Sequence, residues 1–159
     1  MPFERDITVS MRENIAEYYR VLFDEQDVVP PYTTEFFRIE PAAIPEAEKI
    51  NGPTLAIYDH SERKEPEIGS DRVKLTLTFE FSYPMKEGDK ASTELNRILL
   101  DVQRLVRSDI YCGGLTLNVV EIGSDFDIEG TGDSIVGGIV QFEVLYRHKI
   151  LDPSKKRGE

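Results

Sequence analysis

The stretch RVKLTLTFEFSY, residues 72–83, alternates between polar and apolar side chains over its whole length. The apolar side chains occupy every second position: Val73, Leu75, Leu77, Phe79, Phe81 and Tyr83. A period of two sustained over this length predicts a β-strand with one face on a core and the other toward water. Pro84 and Gly88 end the alternation.

The apolar period changes to three and four residues after this strand, which predicts a helix that packs on the strand's apolar face. Its apolar stripe consists of Ala91, Leu95, Ile98, Leu99, Val102, Leu105 and Val106. Asp89 is the predicted N-cap, and Gly113-Gly114 ends the segment. Residues 115–122 and 135–149 return to extended patterns and are expected to pair as neighbouring strands. Gly137-Gly138 inside the last strand indicates a bulge or a close approach by another backbone.

The N-terminal half of the chain predicts one helix and two short strands. The helix covers residues 10–26, and Ser10 with Glu13 has the spacing of a capping box. Prolines 30 and 31 end it. Residues 33–39 and 54–58 are predicted strands, and residues 40–53 form a loop. Residues 59–71 are polar and include Pro66 and Gly69, so we expect an exposed, mobile loop there.

These elements predict a single α+β domain over residues 1–150. Its core is a mixed, mainly antiparallel β-sheet with two amphipathic helices packed on one face. Residues 151–159 are predicted to be a flexible basic tail.

Composition narrows the class of protein. The chain has 159 residues and a formal net charge of −11, which disfavours broad binding of nucleic acid and also favours solubility. No apolar run approaches the roughly 20 residues that span a bilayer, and the N-terminus lacks the apolar segment of a signal peptide. One cysteine excludes an intrachain disulfide and fits a reducing compartment. We expect a soluble protein made in the cytoplasm.

The residue types that carry chemistry form no recognisable catalytic set. His60 and His148 are expected on the surface, and Cys112 is expected to be a packed small residue. The acidic stretch from Asp125 resembles the start of a calcium loop, but Val136 stands where that loop needs a bidentate glutamate. The sequence therefore predicts no enzyme, no metal and no cofactor. A small α+β enzyme or ligand-binding domain, whose acids meet only in space, stays open as an alternative.

Three segments carry a resemblance to a known family. They are LNRILLDVQRLVRSD (95–109), CGGLTLNVVEIGSD (112–125) and IVGGIVQFEVLYRHKILDP (135–153). With the N-terminal helix and its proline break, they resemble the tail terminator proteins of long-tailed bacteriophages. The resemblance implies a mixed sheet flanked by helices. It also implies a non-enzymatic subunit of a ring, usually a hexamer, that caps the tail tube, stops its polymerisation and offers the head-joining surface.

The partners follow from the same resemblance. They are further copies of the chain, the tail tube protein and a head–neck connector protein, in the tail or neck of a virion assembled in the host cytoplasm. DNA would pass through the ring without specific binding, and an acidic lumen would repel its phosphates. Another head–tail neck component stays open as an alternative.

Two polar segments and the edges of the sheet are the expected contact surfaces. An antiparallel sheet leaves unpaired N–H and C=O groups at its borders, and oligomers pair or cover them. The candidate interaction residues in the polar segments are Glu62, Arg63, Lys64, Glu65, Glu67, Asp71, Asp125, Asp127, Glu129 and Asp133.

Overall fold

A computed structural model describes residues 3–36, 38–40, 52–128, 135–149 and 152–156. The two helices are α1 (Met11–Asp24) and α2 (Ala91–Ser108). The strands are β1 (Arg38–Glu40), β2 (Thr54–Glu67), β3 (Ser70–Pro84), β4 (Asn118–Asp127) and β5 (Ile135–Lys149). The predicted α+β class is confirmed. Most of the predicted loop at 40–53 lies outside the described residues.

The strands form one sheet in the order β1-β2-β3-β5-β4. Strand β1 is parallel to β2, and every other pair is antiparallel, as predicted for a mixed, mainly antiparallel sheet. Strand β3 is central and pairs with β5 from Ser70 to Pro84. Strands β4 and β5 are neighbours, as predicted.

One face of the sheet packs against both helices in a single core. The predicted apolar face of β3 is buried from Val73 to Phe81, and the alternate residues of β5 from Val136 to Tyr146 are buried beside it. Phe79 contacts the rings of Tyr19 and Phe142 edge to face, each at 5.5 Å between ring centroids. The opposite face of the sheet carries the polar half of the alternation, faces away from both helices and is called the open face below.

The two helices begin differently from each other. At α1 the Ser10 hydroxyl accepts a hydrogen bond from the Glu13 main-chain N–H at 3.2 Å, as the capping spacing predicts. At α2 the prediction of Asp89 as N-cap is wrong. Its carboxylate instead accepts bonds from the Lys86 main-chain N–H at 2.8 Å and from the Tyr83 hydroxyl at 3.0 Å. Asp89 therefore stabilises the turn before the helix, and Lys90 occupies the N-cap position.

The prediction of a mobile loop at 59–71 is wrong. Strand β2 continues to Glu67, and a two-residue turn at Ile68-Gly69 leads directly into β3. Gly69 has φ +76°, in the left-handed region that favours glycine. The distal half of β2 lies at the border of the sheet, where polar residues and Pro66 are compatible with a strand. Upstream, the strand predicted at 33–39 is reduced to β1.

The glycine pair in β5 marks a close approach rather than a bulge. A Cβ atom on Gly138 would lie 2.6 Å from the Phe81 ring and 2.8 Å from the Phe126 ring, and one on Gly137 would lie 3.1 Å from the Phe81 main-chain oxygen. The bulge is in β4, between Glu121 and Gly123. The strand continues past this bulge to Asp127, beyond its predicted end at residue 122.

Three residues of the predicted flexible tail, Asp152, Pro153 and Lys155, are hydrogen-bonded to the domain. The Met11 N–H donates to the Pro153 carbonyl at 3.1 Å, and the Lys149 N–H donates to the Lys155 carbonyl at 2.8 Å. Residues 152–156 thus lie against the start of α1 and the end of β5. Neither described helix is long and apolar enough to cross a membrane.

Candidate interaction edges

The β2–β3 hairpin from residue 59 to 71, called the hairpin arm below, is attached to the body of the domain. Arg12 of α1 forms an ion pair with Asp59 at 2.7 Å. The Tyr146 hydroxyl donates to the Glu62 carboxylate at 2.9 Å, and burial, with a smaller effect of Glu62, raises the pKa of Tyr146. Arg147 donates to Glu67 at 2.8 Å. The predicted contact residues Glu62 and Glu67 therefore have partners within the chain.

Of the other candidate residues on the hairpin arm, Asp71 is half-buried beside His148, and the remaining three are more available. Arg63, Lys64 and Glu65 are exposed, and no described residue forms an ion pair with Arg63. Lys64 lies 3.6 Å from Glu62, a loose contact between partly exposed groups. Ile68, at the tip of the turn, is 97% exposed. The arm thus presents an unpaired cation and a single apolar side chain to solvent.

The prediction that His148 lies on the surface is wrong. Its side chain is 2% exposed because it continues the core-facing alternation of Val144 and Tyr146. Its Nδ1 atom lies 2.8 Å from the Lys149 carbonyl. Its Nε2 atom has no hydrogen-bond partner in the described part of the chain and lies 4.0 Å from Asp71. His60 is exposed, as predicted.

Strand β4 leaves one border of the sheet open. It pairs only with β5, so its outer N–H and C=O groups meet no strand in the described ranges. The side chains around it are unusually apolar for a solvent-facing edge. Large hydrophobic residues exposed on or beside β4 are Leu117, Val120, Ile122, Ile128 and Ile139. Residues 118–127 contain no lysine, arginine or proline, the residues that commonly protect an edge.

The opposite border is also incomplete. Strand β1 pairs with β2 only from Thr54 to Ala56, so residues 57–67 of β2 have no described strand on their outer side. This stretch contains a bulge between Asp59 and Ser61, and Pro66 further along. Both borders contain a bulge, but this one is better protected than β4 because lysine and proline also discourage nonspecific pairing.

The acidic candidates lie far from the hairpin arm. Asp125 and Asp127 are exposed on β4, while Glu129 and Asp133 lie outside the described residues. Strands β3 and β5 separate β4 from β2, so one copy of the chain does not bring the two groups of candidates together.

The open face is electrically asymmetric. Strand register places basic side chains near the hairpin arm, namely Arg63, Arg72, Lys74 and Arg147. It places acidic side chains toward the other end, namely Glu80, Asp125 and Asp127, while Glu143 lies midway opposite Thr76. Glu65 and Glu67 partly offset the basic end. One face therefore carries both signs of charge in separate regions, which suits contact between copies.

Cys112 is a packed residue, as predicted. Its side chain is fully buried, and Sγ lies 3.0 Å from the Tyr19 hydroxyl. Burial raises the pKa of the Cys112 thiol to about 11, so the thiol is protonated and unreactive near neutral pH. Across the described ranges, no three or more His, Cys, Asp or Glu side chains come together in a way that could hold a metal ion.

Asp101 is a buried acid that sequence reasoning missed. Its carboxylate accepts hydrogen bonds from the main-chain amides of Thr33 at 3.0 Å and Thr34 at 2.6 Å. It thereby fixes the segment after α1 to α2, above a cavity of about 240 Å³ that is also lined by Phe23 and Tyr32. The sequence did show an acidic residue beside Val102, which belongs to the apolar stripe of α2. The spacing of residues could not show that the Thr33 and Thr34 amides bind it.

No protein-family model matches the chain, and no curated protein shows significant sequence similarity to it. The candidate surfaces are therefore defined by burial, register and charge. Among the described residues, two incomplete sheet borders are the main features available for contact with other proteins: one is apolar and acidic, and the other contains Arg63, which has no ion pair with a described residue.

Proposed function

We propose that the protein is a structural subunit of a homo-oligomeric ring of the tail terminator class, which caps the tail tube of a long-tailed bacteriophage. The observation that carries the ring is that two borders of one sheet, the length of β4 and residues 57–67 of β2, pair with no outer strand among the described residues. A contact between two different surfaces is heterologous, and heterologous contacts close into rings when the rotation permits.

The apolar side chains along β4 support an assembly role. Val120 and Ile122 are about half exposed, although nothing in the fold requires large apolar residues at these positions. Clustered exposed apolar side chains beside an open edge are typical of surfaces that become covered in a complex. The segments that resemble tail terminators, 95–109, 112–125 and 135–153, form α2, β4, β5 and the residues that follow β5.

The proposed partners are the tail tube protein on one side of the ring and a head–neck connector protein on the other. The net charge of −11 suits a ring through which DNA passes, because acidic walls repel phosphates. The ring blocks addition of further tube subunits by occupying their docking surface. No chemical step is required of any residue.

Tube capping is the decisive experiment. The purified protein is mixed with polymerising tail tube protein and followed by electron microscopy, while native mass spectrometry gives its own stoichiometry. We expect a ring on one end of each tube and tubes that stop elongating. A ring that binds tubes without stopping elongation favours a neck connector instead. A monomer that neither binds tubes nor alters their length refutes the proposal.

A further inference from the structure

We propose that residues 123–127 of β4 pair antiparallel with residues 61–65 of β2 in a second copy, with Asp125 opposite Arg63. The inference rests on the proposed ring and names the surfaces that close it. Both segments have a free outer edge in the described structure. Pairing them continues the sheet from one copy into the next.

The two segments match in length and regularity. Residues 123–127 follow the β4 bulge between Glu121 and Gly123, and they continue without interruption to the end of the strand. Residues 61–65 follow the β2 bulge between Asp59 and Ser61 and end before Pro66, which has no N–H to donate. Each border therefore offers one regular segment of five residues, bounded on one side by a bulge and on the other by the end of β4 or by Pro66.

The side-chain faces also match. In β4, Asp125 is opposite Ile139 of β5 and points to the open face. In β2, Arg63 is opposite Lys74 of β3 and points to the same face. In a continuous sheet, residues directly opposite each other share a face, so the proposed register brings the carboxylate of Asp125 beside the guanidinium of Arg63.

Charge favours this contact over pairing of β4 with itself. Residues 118–127 contain acids and no cation, so two β4 strands side by side supply no cation opposite Asp125. Arg63 has no ion pair with any described residue, and Lys64 next to it has only a loose one. Opposite charges across a strand pair attract and like charges repel, so β2 of the next copy is the favoured occupant.

The proposed contact gives the two borders of the sheet complementary roles. A heterologous contact uses β4 from one copy and β2 from the next, so every copy in a closed ring has both its 123–127 segment and its 61–65 segment paired. The apolar side chains Ile128 and Ile139 lie beside the proposed ladder on β4. Contact with the next copy covers that end of the apolar surface and leaves the tip of the hairpin arm, at Ile68, outside the ladder.

A charge exchange tests the register. The variants Arg63→Glu and Asp125→Lys each place like charges across the contact, so we expect the ring dissociation constant of each to rise about tenfold or more. Mixed in equal amounts, they should restore assembly, because every contact then joins opposite charges in alternating copies. Assembly is measured by native mass spectrometry, which also shows the two variants in equal numbers.

The controls are charge reversals outside the two segments proposed to pair. Lys86→Glu and Asp24→Lys change the same charges at exposed positions and should assemble like the unmodified protein. Circular dichroism and urea unfolding confirm that each variant is folded. If Arg63→Glu alone assembles normally, or if the mixture fails to assemble while both variants are folded, the proposed pairing is overturned.

A disulfide cross-link tests the same contact independently. The double variant Arg63→Cys, Asp125→Cys should give a ladder of covalent oligomers on mild oxidation, whereas an equal mixture of the two single variants should give covalent dimers only. Cys112 is buried and does not compete. Rings that form without this cross-link overturn the strand pairing and leave the ring proposal standing. Cross-linked rings that fail to stop tube growth overturn the terminator function and leave the pairing standing.

Discussion

Replacing Asp101 by alanine tests the contact that fixes the segment after α1 to α2. One carboxylate oxygen of Asp101 accepts the main-chain amides of both Thr33 and Thr34, at 3.0 and 2.6 Å. A hydrogen bond to a charged group contributes about 1.5–3 kcal/mol. We take the lower figure for each of the two bonds because both donors share one oxygen. Asp101→Ala should therefore lower the free energy of unfolding by about 3 kcal/mol. Asp101→Asn keeps an acceptor without the charge and should lose about 1–2 kcal/mol.

Two measurements check this prediction. Urea unfolding gives the change in the free energy of unfolding, and amide hydrogen exchange reports on the Thr33 and Thr34 N–H groups directly. Protection at these two amides should fall most in Asp101→Ala and less in Asp101→Asn. The matched control is Asp24→Ala at the end of α1, whose exposed carboxylate makes no hydrogen bond to a described residue. It should change stability by less than about 0.5 kcal/mol.

The result that refutes this reasoning is specific. If Asp101→Ala loses less than about 1 kcal/mol and the two amides keep their protection, the carboxylate does not hold the segment in place. If the free energy of unfolding falls strongly but the two amides keep their protection, Asp101→Ala acts by disturbing the packing of α2.

The other predictions concern a close contact, a helix cap and alkaline pH. Gly138→Ala should lower the free energy of unfolding by about 1–3 kcal/mol, because the new methyl group would lie 2.6 Å from the Phe81 ring; unchanged urea unfolding would contradict that contact. Ser10→Ala should cost about 1 kcal/mol in the same assay through loss of the N-cap bond, and Ser10→Thr should retain most of it. Burial raises the pKa of Cys112 from 9.0 to about 11, so the unfolded chain loses the thiol proton first as pH rises. The stability from this group is complete below about pH 9 and falls by up to about 1.4 kcal/mol per pH unit between pH 9 and 11. Cys112→Ala should show a smaller decline over that range, and an equal decline would argue against this origin.

The buried elements were predictable because burial imposes a period on the sequence. Strands β3 and β5 each have one face on the core, and their alternation predicts both the strand and its inward side. His148 shows how far that signal extends. It lies two residues beyond Tyr146 on the same face, so the alternation already indicated burial, although its polarity favoured an assignment to the surface.

The distal half of β2 was not predictable in the same way. Residues 59–67 lie at the border of the sheet, where no second strand is described and where polar and charged side chains remain partly exposed on both faces. Because neither face of this stretch is apolar, its sequence shows no alternation of apolar and polar residues. Pro66 and Gly69 also favoured a loop. The strand forms because β3 offers a complete ladder opposite it. The contacts of Asp101 and of Glu62 with Tyr146 join distant parts of the chain, so spacing gives no sign of them.

The central position of β3 has a consequence for synthesis on the ribosome. Strand β3 pairs with β5 as well as with β2, and Ser70 can pair with Lys149 only after most of the chain has emerged. Until then, the β2–β3 hairpin exposes the side chains of Phe79 and Phe81, and the β3 amides that later bond to β5 have no partner strand. Incomplete nascent chains with such a strand are prone to aggregate. Holding factors that bind extended apolar peptides should therefore protect this protein most during the interval before residues 135–149 are released.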